Sequence, residues 1–530
     1  MAKRSKCIVK DKEILSNLSC AIKYSMFTVK SSIIPIGLAL ISALLRLWAF
    51  TQTPFATGWD SYFYLVQIKS LEESGHMHSP EASLIYPYLR LFYWFTGDYV
   101  LALKAGAAVL CGIFTLLVCR RGQSLPLLGA WFLFSPQLTY FAAQYPKNLL
   151  GLVLFVAFVR SLEWAVSRQR AWLEIPIFLL IINYFGHRMM FGLAVLYLFL
   201  WLGFRYKERF FNKFFLQKVL LAMGGLLGVF LLAGEFFPGL SHFADSGRLK
   251  GMLNWQAQFA PWSFVQSFGM ERISGWWMFE ILMVIIGPPL LKLRRVKWVG
   301  GLILWKHPKG ISNPALFWLC GLLLFPFLEW SLTGLAWRMF LVFVLIVPMA
   351  FDFQNVSKKA SIIAFLALIA TSFFSWKSYS PNLHDPDYAL FKRVTTNVQS
   401  QLPDSSKLSE SSAHDKPKLF IAHNALAEYF TFTTGMDAMP WLPEYTVDSS
   451  KLWRIAARVQ GQTLRYFAGP ENALKIKNLG GGYFLLPEFV WQTALKNART
   501  EGDEYFLHTA ESWLNPHRIR PVFLLKRKQF

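Results

Sequence analysis

Residues 33–50, IIPIGLALISALLRLWAF, form an apolar run in which Arg46 is the one charged residue. A transmembrane α-helix needs roughly 20 predominantly apolar residues to cross the hydrocarbon core of a bilayer. The run is close to that length, and a basic tail, residues 1–32, precedes it. We therefore predict that residues 33–50 are the first membrane-spanning helix and that the tail lies in the cytoplasm.

The composition extends this prediction to most of the chain. Hydrophobic residues make up 54% of the 530 residues and charged residues only 16%, whereas soluble domains carry about 25% charged residues. The composition therefore excludes an ordinary soluble protein and indicates a polytopic membrane protein. The predicted spans are residues 33–50, 98–118, 125–142, 148–166, 173–187, 189–204, 219–237, 276–291, 314–330, 338–352 and 360–376.

The formal net charge of +23 would suggest a nucleic-acid partner in a soluble protein. Here the basic residues are concentrated in alternate short connections, such as Arg120-Arg121 and Lys358-Lys359. Positively charged loops stay on the cytoplasmic side of a membrane. We therefore predict a multi-pass protein of the plasma (inner) membrane, surrounded by membrane lipids, with no nucleic-acid partner. Its N-terminus is cytoplasmic and the chain after residue 376 is extracytoplasmic.

The predicted domains follow from this topology. A transmembrane domain of about eleven helices covers residues 33–376 and includes a first outer loop at 51–97; residues 377–530 form an extracytoplasmic soluble domain. In that last part, residues 418–422 and 483–486 favour strands, and residues 425–430 favour a helix between them. Such an alternation predicts a small α/β domain.

A carboxylate stands just beyond the first predicted span, in the sequence Gly58-Trp59-Asp60-Ser61-Tyr62-Phe63-Tyr64. An aspartate at the membrane surface suits a general base that acts on a substrate held at the lipid boundary. The alternative is that Asp60 caps the amphipathic helix that follows it. A second amphipathic helix is predicted to begin at Ser79-Pro80-Glu81, because proline is favoured at the first helical position.

Several cations fall at the outer ends of the predicted spans. Arginine and lysine there suit the binding of a phosphate leaving group. Lys147, Arg188 and Arg338 are the candidates for this role, and His187, Glu329 and Arg46 are candidates for supporting roles. The alternative for Arg46, Lys147 and Arg338 is that their side chains extend to the lipid headgroups. Glu329 and Arg338 are also candidates for a structural ion pair.

The order and spacing of several motifs resembles the GT-C superfamily of glycosyltransferases, which are polytopic enzymes that use polyprenyl-phosphate-linked sugars. The superfamily includes oligosaccharyltransferase catalytic subunits, protein O-mannosyltransferases and aminoarabinose transferases. The motifs are Leu44-Leu45-Arg46-Leu47, the stretch from Gly58 to Leu65, Tyr86-Pro87-Tyr88-Leu89, Gly97-Asp98 and the stretch from Tyr145 to Gly151. The resemblance implies transfer of a sugar from a polyprenyl-phosphate donor to an extracytoplasmic glycan, lipid or protein. In this comparison Asp60 matches the catalytic carboxylate of the first outer loop.

The chain departs from the superfamily in two places. The second outer loop has Tyr145-Pro146-Lys147 and no Asp-x-Asp or Asp-x-Glu pair, and residues 377–530 lack a Trp-Trp-Asp acceptor motif. The first departure leaves open whether a divalent cation (Mg²⁺ or Mn²⁺) is a cofactor. The second argues against N-linked transfer to protein.

Three alternative functions are considered. A ligase or polymerase of lipid-linked glycans would use outer arginines and histidines without a first-loop aspartate. A transporter would be expected to show internal repeats and broken helices, neither of which we find in the sequence. A non-catalytic assembly subunit for surface glycans would use Asp60 only as a helix cap.

Overall fold

In the computed structural model, the apolar run quoted above forms a helix. The structure describes residues 33–79, 83–119, 135–167, 173–206, 313–323, 335–350, 388–399, 420–435, 438–441, 483–485 and 488–502, together with single positions between these ranges that include Glu81, Phe132 and Leu133. The predicted span at 276–291 lies outside these residues, and only single positions of the predicted span at 219–237 are among them. Glu329 also lies outside them.

The described part of the chain is predominantly helical. Its helices are α1 (Ile33–Phe50), α2 (Ser61–Ser74), α3 (Ile85–Thr96), α4 (Tyr99–Val118), α5 (Pro136–Gln144), α6 (Pro146–Ser167), α7 (Glu174–Gly186), α8 (Arg188–Arg205), α9 (Pro314–Leu323), α10 (Leu335–Ile346), α11 (Tyr388–Gln399), α12 (Asn424–Thr434) and α13 (Glu488–Glu501). A 3₁₀ turn, Val347–Ala350, continues α10. The strands are β1 (Phe420–His423), β2 (Ala438–Trp441) and β3 (Tyr483–Leu485).

Four of the described helices are long and apolar enough to cross a membrane: Ile33–Phe50, Tyr99–Val118, Pro146–Val166 and Arg188–Arg205. The chain is therefore a helical membrane protein. Shorter apolar helices occur at Glu174–Gly186, Pro314–Leu323 and Leu341–Ala350, each within a predicted span. The total of eleven spans and the sidedness of the membrane stay predictions.

The chain divides into two compact units. The helical unit comprises residues 1–52, 80–95 and 104–383, and the mixed unit comprises residues 53–79, 96–103 and 384–530. The first outer loop therefore contributes residues to both units. This division differs from the predicted boundary at 376/377, because residues 53–79 are packed with elements from the C-terminal part of the chain.

Close helix packing in the helical unit depends on a glycine of α6. A Cβ atom at Gly151 would lie 2.4 Å from Cβ of His187 and 2.9 Å from Cγ of Met190. Real Cβ atoms do not approach this closely, so only glycine lets the junction of α7 and α8 rest against α6. Since Gly151 lies one helical turn after Lys147, the contact also brings His187 to the face of α6 that carries Lys147.

Arg46 holds α1 to the segment before α5. Its side chain is 1% exposed, and its Nη1 and Nη2 atoms donate to the carbonyl oxygens of Leu133 (2.5 Å), Phe132 (2.7 Å) and Ser135 (3.2 Å). Nη1 also donates to Oγ of Ser42 at 2.8 Å. Nη1 and Nη2 of the guanidinium are therefore hydrogen-bonded inside the protein, while Nε is buried without a partner. The side chain does not extend to the lipid headgroups, so that alternative is wrong.

A polar network joins helix ends on the other side of the same unit. Arg160 donates to the carbonyls of Leu117 (3.0 Å) and Val118 (3.1 Å) at the end of α4, and it pairs with Glu163 at 3.1 Å. Asn313 donates to Glu163 Oε1 at 2.8 Å and to the Tyr197 hydroxyl at 2.9 Å. Asn313 also caps α9 by accepting the N–H of Leu316. The network thus connects α4, α6, α8 and the start of α9.

The mixed unit contains a three-stranded parallel sheet in the order β2-β1-β3. Phe420 pairs with Ala438 of β2 and with Tyr483 of β3, and α12 provides the crossover from β1 to β2. Ala425, Leu426, Ala427 and Phe430 of α12 are buried. That these elements belong to one α/β domain covering all of residues 377–530 stays a prediction.

We predict that Arg46→Met destabilises the helical unit. The substitution removes the donor that Arg46 supplies to the carbonyl oxygens of Phe132 and Leu133, and an unsatisfied buried polar group costs roughly 1–3 kcal/mol. Thermal unfolding of the purified protein in detergent should show a midpoint several degrees lower. Arg205→Met, which changes an exposed arginine in the last turn of α8, is the matched control and should unfold near the wild-type midpoint. An unchanged midpoint for Arg46→Met would contradict the structural role.

Candidate functional site

The backbone before Asp60 is fixed by a contact with the C-terminal part of the chain. Gly58 has a φ of 103°, in the left-handed region that favours glycine. Its carbonyl oxygen accepts a hydrogen bond from the hydroxyl of Tyr388, at the start of α11, over 2.5 Å. The loop that carries Asp60 is therefore held at a defined position inside the mixed unit.

Asp60 is the N-cap residue of α2 by position only. Its φ and ψ are −94° and 7°, and its side chain makes no capping hydrogen bond. Two other N-cap residues do cap their helices: Ser135 accepts the N–H of Leu138 at 3.2 Å, and Asp98 accepts the N–H of Leu101 at 2.7 Å. The alternative in which Asp60 serves as a helix cap is therefore wrong.

Glu428 accepts a backbone N–H of the first turn of α2, which is the bond that a capping side chain would make. It extends from α12 and accepts the backbone N–H of Phe63 in the first turn of α2. Oε2 of the same carboxyl group is buried and has no hydrogen-bond partner. Burial and the nearby charge of Asp60 raise the pKa of Glu428 well above its usual range, against the opposing effect of the Phe63 N–H. Two carboxyl groups thus meet at the start of α2.

The charge of Asp60 acts on the carboxyl group of Glu428. Two adjacent carboxylates do not ionise together readily, so the less solvated group holds the proton. Burial and the charge of Asp60 both favour the protonated form of Glu428. A neutral acid beside an ionised one is the arrangement that lets a pair of carboxyl groups divide acid and base roles.

Aromatic rings hold α2 against α11 and α12. The ring of Tyr62 lies 4.8 Å from that of Tyr388, 4.8 Å from that of Tyr429 and 5.4 Å from that of Phe432, measured between centroids. Tyr62 is 2% exposed, and burial raises the pKa of its hydroxyl. These rings are packed as a core and keep Asp60 beside Glu428, so they do not offer an open stacking surface for a sugar.

Four of the predicted site residues come together in the helical unit. We call this group, Lys147, His187, Arg188 and Arg338, the basic corner. Lys147 is in the first turn of α6, His187 separates α7 from α8, Arg188 begins α8 and Arg338 is on α10. The charges of Lys147, Arg338 and Arg188 all act on His187, whose Nδ1 is buried without a hydrogen-bond partner.

The basic corner has its own counter-ion, which the sequence analysis did not identify. Glu81 forms an ion pair with Lys147 and accepts a hydrogen bond from the hydroxyl of Tyr86. Glu81 was predicted to lie at the start of a helix, but α3 begins only at Ile85. Arg338 stacks on the ring of Tyr145, with Cζ 4.4 Å from the ring centroid. The ion pair and the stacking keep Lys147 and Arg338 within the protein.

The remaining predicted residues are placed elsewhere. The hydrogen bonds of Arg46 with the 132–135 segment give it a structural role, and Glu329 lies outside the described residues. Within the part of the chain that the structure describes, no group of three or more His, Cys, Asp or Glu side chains could hold a metal ion. The described carboxylate pair therefore supplies at most two protein ligands to a cation.

Glu428 carried one signal in the sequence: it is the single charged residue in the predicted helix 425–430, whose other residues are apolar. A charge on a buried helix face is costly unless it is paired or hydrogen-bonded. That pattern could have marked it as a functional candidate. Its partner Asp60, however, lies in a loop more than 360 residues earlier, which the sequence alone does not indicate.

We predict that Glu428 makes the mixed unit less stable as the pH rises. Its pKa in the folded protein lies above the ordinary carboxyl value of 4.5. Between the ordinary pKa and the raised pKa, the folded state binds more protons than the unfolded state. The free energy of unfolding therefore falls as the pH increases. Glu428→Gln removes this dependence.

Thermal unfolding of wild type and Glu428→Gln between pH 5 and pH 8 measures the effect as the difference between the two midpoints. The variant should become progressively more stable than wild type as the pH increases. Glu504→Gln, at an exposed position, should show a constant difference. A midpoint difference for Glu428→Gln that does not change with pH would contradict the raised pKa of Glu428.

Comparison with known proteins does not place the chain in a family. No protein-family model matches it, and no curated protein matches it. The function therefore has to be argued from the two clusters themselves, the Asp60–Glu428 pair in the mixed unit and the basic corner in the helical unit.

Proposed function

We propose that the protein is a membrane glycosyltransferase of the GT-C type, which moves a sugar from a polyprenyl-phosphate donor to an extracytoplasmic acceptor. The observation that carries the proposal is the pairing of Asp60 with Glu428. A carboxylate that is held in place, does not cap its helix and stands beside a protonated acid has the properties of a general base. The resemblance of the surrounding motifs to the GT-C superfamily supports the same function.

In the proposed reaction an acceptor hydroxyl attacks the anomeric carbon of the donor sugar. Asp60 removes the hydroxyl proton as the new glycosidic bond forms. The bond between the anomeric carbon and the phosphate oxygen breaks, and the polyprenyl phosphate leaves with the bonding electrons. Glu428 keeps its own proton, which confines the negative charge of the pair to Asp60 and so keeps that group ionised.

The basic corner supports the binding of the anionic donor. Arginine offers phosphate a planar fork of donors, and lysine offers a compact positive charge. Arg188 and Arg338 supply the first kind of group and Lys147 the second, while His187 is a further polar contact among them. Fixed cations of this kind stabilise a phosphate group as its charge develops.

A ligase or polymerase of lipid-linked glycans is the second candidate. The observation that favours it is the convergence of two arginines and a histidine in the basic corner. Such an enzyme needs these cations but does not need the carboxylate of Asp60. The two functions are therefore separated by the sensitivity of transfer to substitution at position 60.

We predict that Asp60→Asn abolishes sugar transfer. A positioned general base contributes about 10²–10⁴-fold to a rate, and the asparagine keeps the size of the side chain without its basicity. Purified wild type and variant would be incubated with radiolabelled polyprenyl-phosphate sugars, with and without EDTA, and donor consumption measured. Loss of activity of wild type in EDTA would reveal a requirement for a divalent cation.

The matched control is Asp98→Asn, because Asp98 is an aspartate of the same unit that does cap its helix and asparagine is an equally good cap. It should consume donor at the wild-type rate. Glu428→Gln, which imitates the protonated acid, should retain most of the activity. Full activity of Asp60→Asn would sink the general-base assignment.

A further prediction concerns the donor side. Lys147→Ala should raise the apparent KM for the polyprenyl-phosphate sugar about tenfold, since loss of one charge-assisted contact weakens binding by roughly 1.5 kcal/mol. The rate at saturating donor should fall less. Steady-state kinetics over a range of donor concentrations separates the two parameters, and an unchanged KM would remove Lys147 from the donor site.

A further inference from the structure

The basic corner is positively charged from two independent sources. Lys147, Arg188 and Arg338 carry formal charges that all act on His187. In addition, α6 begins at Pro146 and α8 begins at Arg188, so the positive ends of two helix dipoles lie at the same place. The buried Nδ1 of His187 has no hydrogen-bond partner. Such a site favours an anion, and phosphate is an anion that both helix N-termini and arginines bind well.

Glu81 already supplies a negative charge to this site. Its carboxylate contacts the ammonium of Lys147 and the hydroxyl of Tyr86. The chain just after it is tied to the end of α7, because the N–H of Leu84 donates to the carbonyl of Phe185 at 2.9 Å and Ser83 Oγ donates to the carbonyl of Gly186 at 3.4 Å. Glu81 is thus attached to a segment bonded to the residues just before His187.

We propose that Glu81 is a built-in counter-ion that a phosphate group must displace from Lys147 in order to bind the basic corner. The ligand class is a phosphate monoester or diester, or inorganic pyrophosphate. Displacement also breaks the hydrogen bond from Tyr86 and so releases Glu81 from α3. The inference deepens the proposed function and rests on it for the identity of the natural ligand, a lipid-linked phosphate.

The partial burial of the ion pair strengthens the competition between Glu81 and a phosphate group for Lys147. The side chains of Lys147 and Glu81 are only 19% and 21% exposed, so water screens their charges less than at an open surface. A phosphate that approaches Lys147 is therefore repelled by the carboxylate of Glu81 while both are present. Neutralising Glu81 removes the repulsion and frees the ammonium, and anion affinity increases.

The test is a binding measurement with the purified full-length chain in detergent. Isothermal titration with inorganic pyrophosphate would compare wild type with Glu81→Gln, an isosteric change that removes the charge. We expect Glu81→Gln to bind about tenfold more tightly, which corresponds to about 1.4 kcal/mol. Tyr86→Phe, which removes the hydroxyl that holds Glu81, should bind more tightly by a smaller factor.

A second arm identifies the source of the phosphate. The same proteins would be reconstituted into phosphatidylcholine nanodiscs with or without a long-chain polyprenyl phosphate, and pyrophosphate titrated again. If the lipid-linked phosphate occupies the corner, pyrophosphate binding should weaken in discs that contain it, more strongly for Glu81→Gln than for wild type. Unaltered pyrophosphate binding would assign the site to free phosphate and remove the lipid-linked ligand from the proposal.

Two controls connect the effect to the ion pair. Glu174→Gln makes the same charge change in the same unit, but at the end of α7 opposite to His187, and should leave the affinity at the wild-type value. The gain from Glu81→Gln should disappear in a Lys147→Gln background, since interacting residues give non-additive effects. A gain that persists without Lys147 would show that Glu81 acts elsewhere.

The proposal is overturned if Glu81→Gln binds pyrophosphate no more tightly than wild type, or if neither protein binds any of the probes. Weaker binding by Glu81→Gln would show that Glu81 orients Lys147 for the ligand instead of competing with it. If Glu81→Gln fails to fold, as judged by thermal unfolding, Tyr86→Phe tests the same direction of change. The titrations need no acceptor and can be made with Asp60→Asn, so their failure is separate from a failure of sugar transfer.

Discussion

The hydrogen bond between the carboxyl group of Glu428 and the N–H of Phe63 is the contact on which the arrangement of the mixed unit depends. It connects α12 to the first turn of α2, and therefore connects the C-terminal part of the chain to the loop that follows the first span. The ring contacts of Tyr62 with Tyr388 and Tyr429 reinforce the same junction. Glu428 thus bonds the helix end that Asp60 does not cap.

The helical unit also holds charged side chains inside a packed structure. Gly151 permits the approach of His187 to α6, and the cations of the basic corner gather around that imidazole. One carboxylate, Glu81, balances Lys147. Like charges held close together raise the free energy of a fold unless an anion is near. A negatively charged ligand therefore complements the positive charge of the basic corner that Glu81 does not balance.

The parts of this picture that could be predicted from the sequence are those encoded by local pattern. The apolar run at 33–50, the carboxylate at Asp60 and the cations at Lys147 and Arg188 are each visible within a few residues. Glu428 and Glu81 were missed because their roles are set by partners that are distant in sequence, Asp60 and Lys147. The alternatives for Arg46 stayed open in the sequence for a related reason. A lone arginine near the end of a span looks the same whether it reaches the headgroups or the carbonyls of Phe132 and Leu133. The role of each of these residues depends on a contact with a residue distant in sequence, and residue type and spacing do not reveal such contacts.

The bonding of Arg46 also bears on how the protein is made. A charged side chain disfavours the insertion of an isolated helix into lipid. Ser42 is the acceptor within α1 itself, and the other three acceptors of Arg46 lie on residues 132–135, which are synthesised more than 80 residues later. We expect α1 to remain near the translocation machinery until that segment has emerged. The first span of the chain would then complete its insertion together with a later one, as a pair in which Nη1 and Nη2 of Arg46 are hydrogen-bonded before either helix meets the lipid.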